Sequence, residues 1–511
     1  MTVFKNKLSY QVLFQWGIVA LPLLEIYRSF FGDTLQIGFL ALEETLLLIW
    51  AGTLFCAGAV FSFLEKRKIV LILTGGYCLL FFAYLILHAW NACHFDSSIL
   101  PGASPSFVRE AYYTLRMYFA PLSLVMAAIL LKMPKKRILT GILGATWVIT
   151  LAIVLTDFLG ISFVSYADGN QVVSGGFFSW FTLPENADFA LFTAKGPFHS
   201  ANDMGAVLFG LTPFVAFRAL SRGKISDHLL LLFTCLASVM VGTKIGSYGF
   251  GIVLVGMIFV AIYDLLFSKK EKKCWKNLIL PVLIFGLYIP LLILSPGKKL
   301  QDVRNAQAQD SFRPTQNVEE ISQVTEKKEE DPFTQEETQH LESYLETHYW
   351  DHFIDPWFLE LYPVSSDVEF WAKVTGRPNT ENGDSRNFKI EMIQRITERN
   401  NRDEDNLFGI GYTSGVPYAE RDYIFQRYLF GWVGLLVLFL PFAALIFWNG
   451  KDLILSLFSR KLLLLSATTF LSLVVYFATA WFSGHVFDTQ FTTYFLCVSG
   501  AALIAEKNHE V

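Results

Sequence analysis

QDVRNAQAQDSFRPTQNVEEISQVTEKKEED, residues 301–331, opens the only long polar segment of an otherwise apolar chain. With so few large apolar side chains it cannot bury enough surface to offset its ordering entropy, so it is expected to be disordered. The segment runs on to Asp422, and from Pro332 aromatics return. Leu341, Tyr344, Leu345 and Tyr349 follow helical spacing before a cluster of Trp350, Phe353, Trp357 and Phe358. Loops longer than about 15 residues are usually functional or disordered. Residues 297–422 read as both, with 332–422 expected to fold, mostly as helices, at the mouth of a membrane domain.

Outward from this loop the chain is hydrophobic. Of 511 residues, 53% are hydrophobic and 17% charged, more apolar matter than a soluble core needs. Runs near the roughly 20 residues that cross a bilayer fall at 9–30, 44–64, 69–90, 112–132, 138–160, 203–221, 226–242, 246–267, 276–295, 423–447, 462–482 and 489–506. The expected fold class is therefore an all-α polytopic membrane protein of about 12 transmembrane helices, nine in 1–296 and three in 423–511. Lys5 and Lys7 precede a first apolar run with no cleavage site, which reads as a retained span.

Basic clusters orient it. Lys66-Arg67-Lys68, the stretch Lys132 to Arg137, Arg218/Arg222/Lys224, Lys269 to Lys276 and Lys451/Arg460/Lys461 all fall on the side of Lys5 and Lys7. The positive-inside rule then puts both termini in the cytoplasm and the large loop outside the cell membrane. Between Gln301 and Asp422 stand 26 acidic residues against 12 Lys and Arg, which excludes a nucleic-acid groove. Six cysteines, at 56, 78, 93, 235, 274 and 497, imply no disulfide framework. Mid-span regions nearly free of charge disfavour a transporter or flippase of lipid-linked oligosaccharide, and short inner loops leave no room for a sensor's output domain.

Three polar constellations converge on the outer face. The first is Lys195-Gly-Pro-Phe-His199-Ser-Ala-Asn202-Asp203, a turn before the sixth span in which Asn202 or Asp203 is a natural helix cap. The second is Gly242-Thr-Lys244-Ile-Gly-Ser, where an outward cation suits an anionic partner or snorkels to headgroups. The third is Asp384-Ser-Arg386-Asn-Phe-Lys-Ile-Glu-Met-Ile, then Leu407-Phe-Gly409-Ile-Gly411-Tyr, then Glu420-Arg-Asp422, and Gly431-Trp-Val-Gly434 in the tenth span. Arg386 opens a short amphipathic helix, and Gly409 and Gly411 permit close backbone approach. Phe163 to Asn202, with Trp180 and Phe181, reads as an interfacial piece anchored by aromatics.

In this order, the motifs KGPFHSAND, VGTKIGS, DSRNFKIEMI, LFGIGY and ERDYIFQRYLFGWVG resemble the O-antigen ligase and Wzy-type polysaccharide polymerase superfamily, over roughly residues 190–435. The Gram-positive branch, associated with capsule, exopolysaccharide or teichuronic-acid polymerisation, is the more similar. The resemblance implies a GT-C-like glycosyltransferase that moves glycan from an undecaprenyl-diphosphate donor to a sugar hydroxyl, without a cofactor or an obligatory metal. It also implies the flippase and the chain-length regulator of such a pathway as partners. By the same resemblance His199 and Asn202 match the turn before a mid-chain span, and Arg386 the arginine that opens the loop's last helix. Two positions depart from the pattern. Lys244 stands where ligases commonly have arginine, a point charge in place of a fork. Glu420 replaces the usual histidine.

Attack of a sugar hydroxyl on an anomeric carbon needs a base and cations for the diphosphate leaving group. Asp422 or Glu420 is the expected base. Arg386 and Lys244, with Arg116 and Lys195 on the same face, are expected to hold the diphosphate. Arg116 could instead pair with Glu43 or Glu44. His485 and Asp488, before the last span, are a second acid/base pair. Polymerisation of lipid-linked repeat units is the reading chosen, with transfer of finished glycan to another acceptor as the alternative.

Overall fold

The computed structural model describes residues 2–32, 36–37, 40–167, 169–267, 275–310, 324–325, 332–383, 385–459 and 463–504. Among them ten helices are long and apolar enough to cross a membrane: Lys7–Phe31, Leu42–Leu64, Lys68–Ala92, Phe107–Leu130, Lys135–Phe158, Ala201–Arg222, Lys244–Phe267, Lys276–Leu294, Asp422–Phe458 and Leu464–Phe482. Two further apolar helices, Ile225–Val241 and Gln490–Ile504, have 17 and 15 residues. The twelve expected spans are thus twelve helices, two of them short. The protein is an all-α, multi-pass membrane protein.

The chain divides into two compact units, one of Met1–Leu79, Leu115–Val303 and Phe439–Val511, the other of Leu80–Thr114 and Arg304–Leu438. This differs from a division at 297 and 422. The reason is a long-range tie: Asn91 donates to the Asp405 carboxylate (2.8 Å) and to the Gly409 carbonyl (2.8 Å), joining the end of the third span to the back of the loop.

In the first, membrane unit, Ala201–Arg222 is buried along most of its length, and Lys244–Phe267 and Leu463–Phe482 pack on it. Lipid-soluble helices gain little from apolar contact alone, so small residues carry the close approach. A Cβ on Gly205 would lie 2.4 Å from Thr243 Oγ1, and one on Gly210 2.1 Å from the Tyr476 ring. Leu42–Leu64 and Gln490–Ile504 both pack on Ala120–Leu130. The segment after Lys135–Phe158 is a small tied loop in which Phe163–Val164 pairs antiparallel with Ala194–Gly196. Trp180 is buried there, while Phe178 and Phe181 are exposed, so the anchoring expected of Trp180 is not its place.

In the second, loop unit, Thr334 and Glu337 form a reciprocal capping box that starts helix Gln335–His348. Leu341, Tyr344 and Leu345 on that helix share a core with Trp371, Phe388, Met392 and Ile396. The loop's helices continue with Val368–Gly376 and Ser385–Asn400. Within the stretch expected to be disordered, residues 301–310 instead complete a helix, Pro296–Asp310, started by a proline at its first position. The rest of that stretch, apart from Val324 and Thr325, lies outside the described residues.

Candidate functional site

The membrane unit holds a polar cavity of about 240 Å3, lined by Arg28, Glu44, Arg116, His199, Asp203 and His485, with Ser200, Asp488 and Gln490 beside them. Each side chain is delivered by a local feature of the sequence. Pro121 has no N–H to give the carbonyl four residues back, and just before it Leu115–Phe119 widens into a π turn. Arg116 sits in that turn and forms an ion pair with Glu44, one of the two partners the sequence offered. Arg28 lies 3.9 Å from Glu25, a turn away on its own helix.

Helix Ala201–Arg222 is capped by Ser200, whose hydroxyl accepts from Asp203 N (3.3 Å). Neither Asn202 nor Asp203 is the cap, contrary to expectation. With the cap at Ser200, Asp203 falls in the first turn, where the helix dipole favours a carboxylate, and it is buried. On the other wall Gly484 and His485 both adopt left-handed backbone (φ 70° and 62°). For histidine this conformation is uncommon and marks a position held by its surroundings.

His485 stands between two carboxylates. Its Nδ1 is 3.8 Å from Asp203 Oδ1 and 3.7 Å from Asp488 Oδ2, too long for hydrogen bonds but close in charge. The Asn202 amide reaches Nε2 at 3.2 Å. With the amide donating, Nε2 carries the lone pair and the Nδ1 proton points at the carboxylates. Two guanidinium groups, a histidine whose Nε2 is held by the Asn202 amide and two carboxylates behind it can bind an anion and, if that amide gives way, take up a proton. Among the described residues no group of His, Cys, Asp or Glu is arranged to hold a metal ion.

Of the residues singled out from the sequence, Arg116, His199, His485 and Asp488 line this cavity, and Asn202 touches it through His485. Lys195 and Lys244 do not line it. Lys195 is buried in the short strand pair, its ammonium 3.3 Å from the Gly169 carbonyl. Lys244 is exposed at the first residue of its helix.

Arg386, Glu420 and Asp422 belong to the loop unit. Arg386 is the second residue of helix Ser385–Asn400 and pairs with Glu420 at 3.0 Å, while Asp384 beside it lies outside the described residues. Asp422 is fully buried at the first residue of its helix and accepts from the Tyr418 hydroxyl (3.1 Å).

The loop unit also contains a pair that sequence reading missed. His88 Nε2 lies 2.9 Å from Glu110 Oε1, and His88 Nδ1 2.6 Å from the Phe408 carbonyl. Glu110 accepts in addition from Tyr412 N (3.0 Å), Thr413 N (2.9 Å) and Thr413 Oγ1 (3.0 Å). The helix from Asp422 breaks at Gly431 (φ 65°), and the Tyr428 and Leu429 carbonyls it releases accept from Ile410 N and Gly411 N. The LFGIGY and GWVG motifs are therefore two sides of one backbone crossing. A histidine inside an apolar run was the available signal, since ionisable groups there always need a partner.

Residues 5–510 match a family model described as O-antigen ligase like membrane protein. No curated protein matches the chain.

Proposed function

The chain belongs to the family of O-antigen ligase-like membrane proteins, and from that membership we propose that it polymerises glycan repeat units carried on a polyprenyl diphosphate, undecaprenyl in a bacterial membrane. The observation that carries the reading is the cavity in which Arg28 and Arg116 face His485 and its two carboxylates. The arginines hold the diphosphate, Arg116 exchanging part of its contact with Glu44 for phosphate oxygens. An acceptor hydroxyl attacks the anomeric carbon, and the bond from that carbon to the diphosphate oxygen breaks. The hydroxyl proton goes to His485 Nε2 as the Asn202 amide releases that lone pair, and Asp203 and Asp488 stabilise the imidazolium. The negative charge that develops on the leaving diphosphate is met by the guanidinium groups.

In this scheme Asp422 and the Arg386–Glu420 pair serve the architecture of the loop unit. The positive-inside pattern supports placing the chemistry at the outer face, with both termini in the cytoplasm. The test is a single-turnover assay with polyprenyl-diphosphate repeat units, comparing wild type, His485→Ala and Asp422→Asn. Release of polyprenyl diphosphate with a ladder of longer lipid-linked glycans, lost in His485→Ala alone, is the expected result. Loss in Asp422→Asn with His485→Ala active returns the base to Asp422. A single transferred chain without a ladder indicates ligation of finished glycan instead. Movement of substrate across vesicles without release of diphosphate overturns the transferase reading.

A further inference from the structure

A second cavity, of about 800 Å3, lies wholly within the loop unit. Helix Ser385–Asn400 buries Phe388, Met392, Ile393 and Ile396, which leaves Glu391, Gln394, Arg395 and Glu398 as a polar stripe at i, i+3, i+4 and i+7. Helix Val368–Gly376 buries Phe370, Trp371 and Val374 and offers Glu369 and Lys373 to the same space, with Arg377 just beyond its end. Phe333 and Phe370 contribute aromatic surface to the wall.

The polar groups of this cavity are held from behind. Arg395 Nε donates to the buried Asp367 carboxylate (2.7 Å) while its outer nitrogen meets Glu369. Arg377 donates to the buried Asn382 (2.5 Å) and pairs with Glu391. Gln394 donates to Glu398 (2.9 Å). Arg395 and Gln394 are thereby each fixed by one edge with further hydrogen-bonding capacity on another, which lowers the ordering cost of binding a hydroxylated ligand. Glu369, Glu391 and Glu398 balance Lys373, Arg377 and Arg395, so the lining offers no net field to a polyanion or a polycation. The volume lies within the roughly 300–1,000 Å3 of ligand sites.

We propose that this groove binds a short run of uncharged sugar rings, a glycan site separate from the arginine-lined cavity of the membrane unit. The inference rests on the glycan-transfer reading and names a binding site for that glycan. Gln394, Glu398 and the outer edge of Arg395 take the hydroxyls, and Phe333 takes a ring face.

The test uses full-length protein in nanodiscs and, as probe, oligosaccharides cut from the polysaccharide of the strain that carries it, free of lipid and diphosphate. Calorimetric or saturation-transfer titration is run on wild type, Gln394→Ala/Glu398→Ala, Gln394→Trp as a plug, and Arg116→Ala. Gln394 and Glu398 are both exposed, so these variants leave the loop core intact. The expected result is binding by wild type and Arg116→Ala and a loss of about tenfold or more in the other two, the worth of one or two hydrogen bonds. Equal affinity in wild type and both groove variants, or no binding by wild type, overturns the proposal. Fragment binding that depends on Gln394 in a protein that releases no polyprenyl diphosphate upholds the groove and sinks the transfer reading.

Discussion

His485 in the membrane unit and His88 in the loop unit are built from the same residue types and reach opposite ends of one scale. His88 is fully buried, both its nitrogens meet oxygens within 2.9 Å, and its partner Glu110 accepts from three further donors. A Cβ on Gly411 would lie 2.7 Å from the Glu110 carboxylate, so even the backbone is drawn in. His485 keeps part of its side chain exposed, its backbone is left-handed, and its carboxylates stand 3.7 and 3.8 Å away. A buried polar network with every valence used rigidifies a fold and has nothing left for a substrate. A looser one beside a cavity can re-form its contacts around a ligand, and it is there that the proposed chemistry is placed.

The sharpest way to break this contrast is Glu110→Ala. It takes the acceptor from His88, from two backbone amides and from the Thr413 hydroxyl, and breaking a buried pair in this way costs about 3–5 kcal/mol. The expected outcome is a large fall in the thermal unfolding midpoint in detergent, with little folded protein recovered. A normal midpoint with transfer abolished would reverse the roles of the two histidines.

His485→Ala should do the opposite. Transfer falls about 10²-fold or more, the usual worth of a general base, while the unfolding midpoint stays within a few degrees of wild type. Smaller again is Arg116→Lys, which keeps the ion pair with Glu44 but loses the two-pronged contact with phosphate. A rate loss of about tenfold is expected from one weakened charged hydrogen bond. A full rate in Arg116→Lys would mean that the guanidinium fork plays no part in holding the donor.

The mildest test uses acid. Burial alone would raise the Asp367 carboxyl, but hydrogen bonds from Arg395, the Tyr362 hydroxyl and Phe370 N outweigh it and hold the group below its ordinary value. A depressed carboxyl contributes stability that is present above the unfolded-state pKa of about 4 and is lost as pH falls through the folded value. Unfolding midpoints measured from pH 7 down to pH 3 should therefore fall less steeply in Asp367→Asn than in wild type. Parallel curves would show that Asp367 is not among the fully used carboxylates of the loop unit.

Much of the architecture is legible in the order of residues alone. Among the described residues the apolar runs mark the twelve long or apolar helices, and Leu341, Tyr344 and Leu345 mark a buried helix face, because hydrophobic burial has a period that a sequence records. Arg386 at a helix start and the close approach at Gly409 and Gly411 are legible for the same local reason. The cap of helix Ala201–Arg222 is not: it lies at Ser200, two or three residues before the expected Asn202 or Asp203, a shift that decides whether Asp203 starts the helix or faces a histidine.

A multi-pass all-helical membrane protein with one large acidic loop thus follows from the chain directly, since apolar length, charge and spacing are local properties. Which polar groups meet does not, and tertiary packing alone settles it. His485 reaches Asn202 across 283 residues and Asn91 reaches Asp405 across 314, and Arg116 turns to Glu44 where the sequence leaves Glu43 equally open. Pairings at such separation follow from helix packing and from backbone breaks such as Gly431, and no periodicity in the chain encodes them.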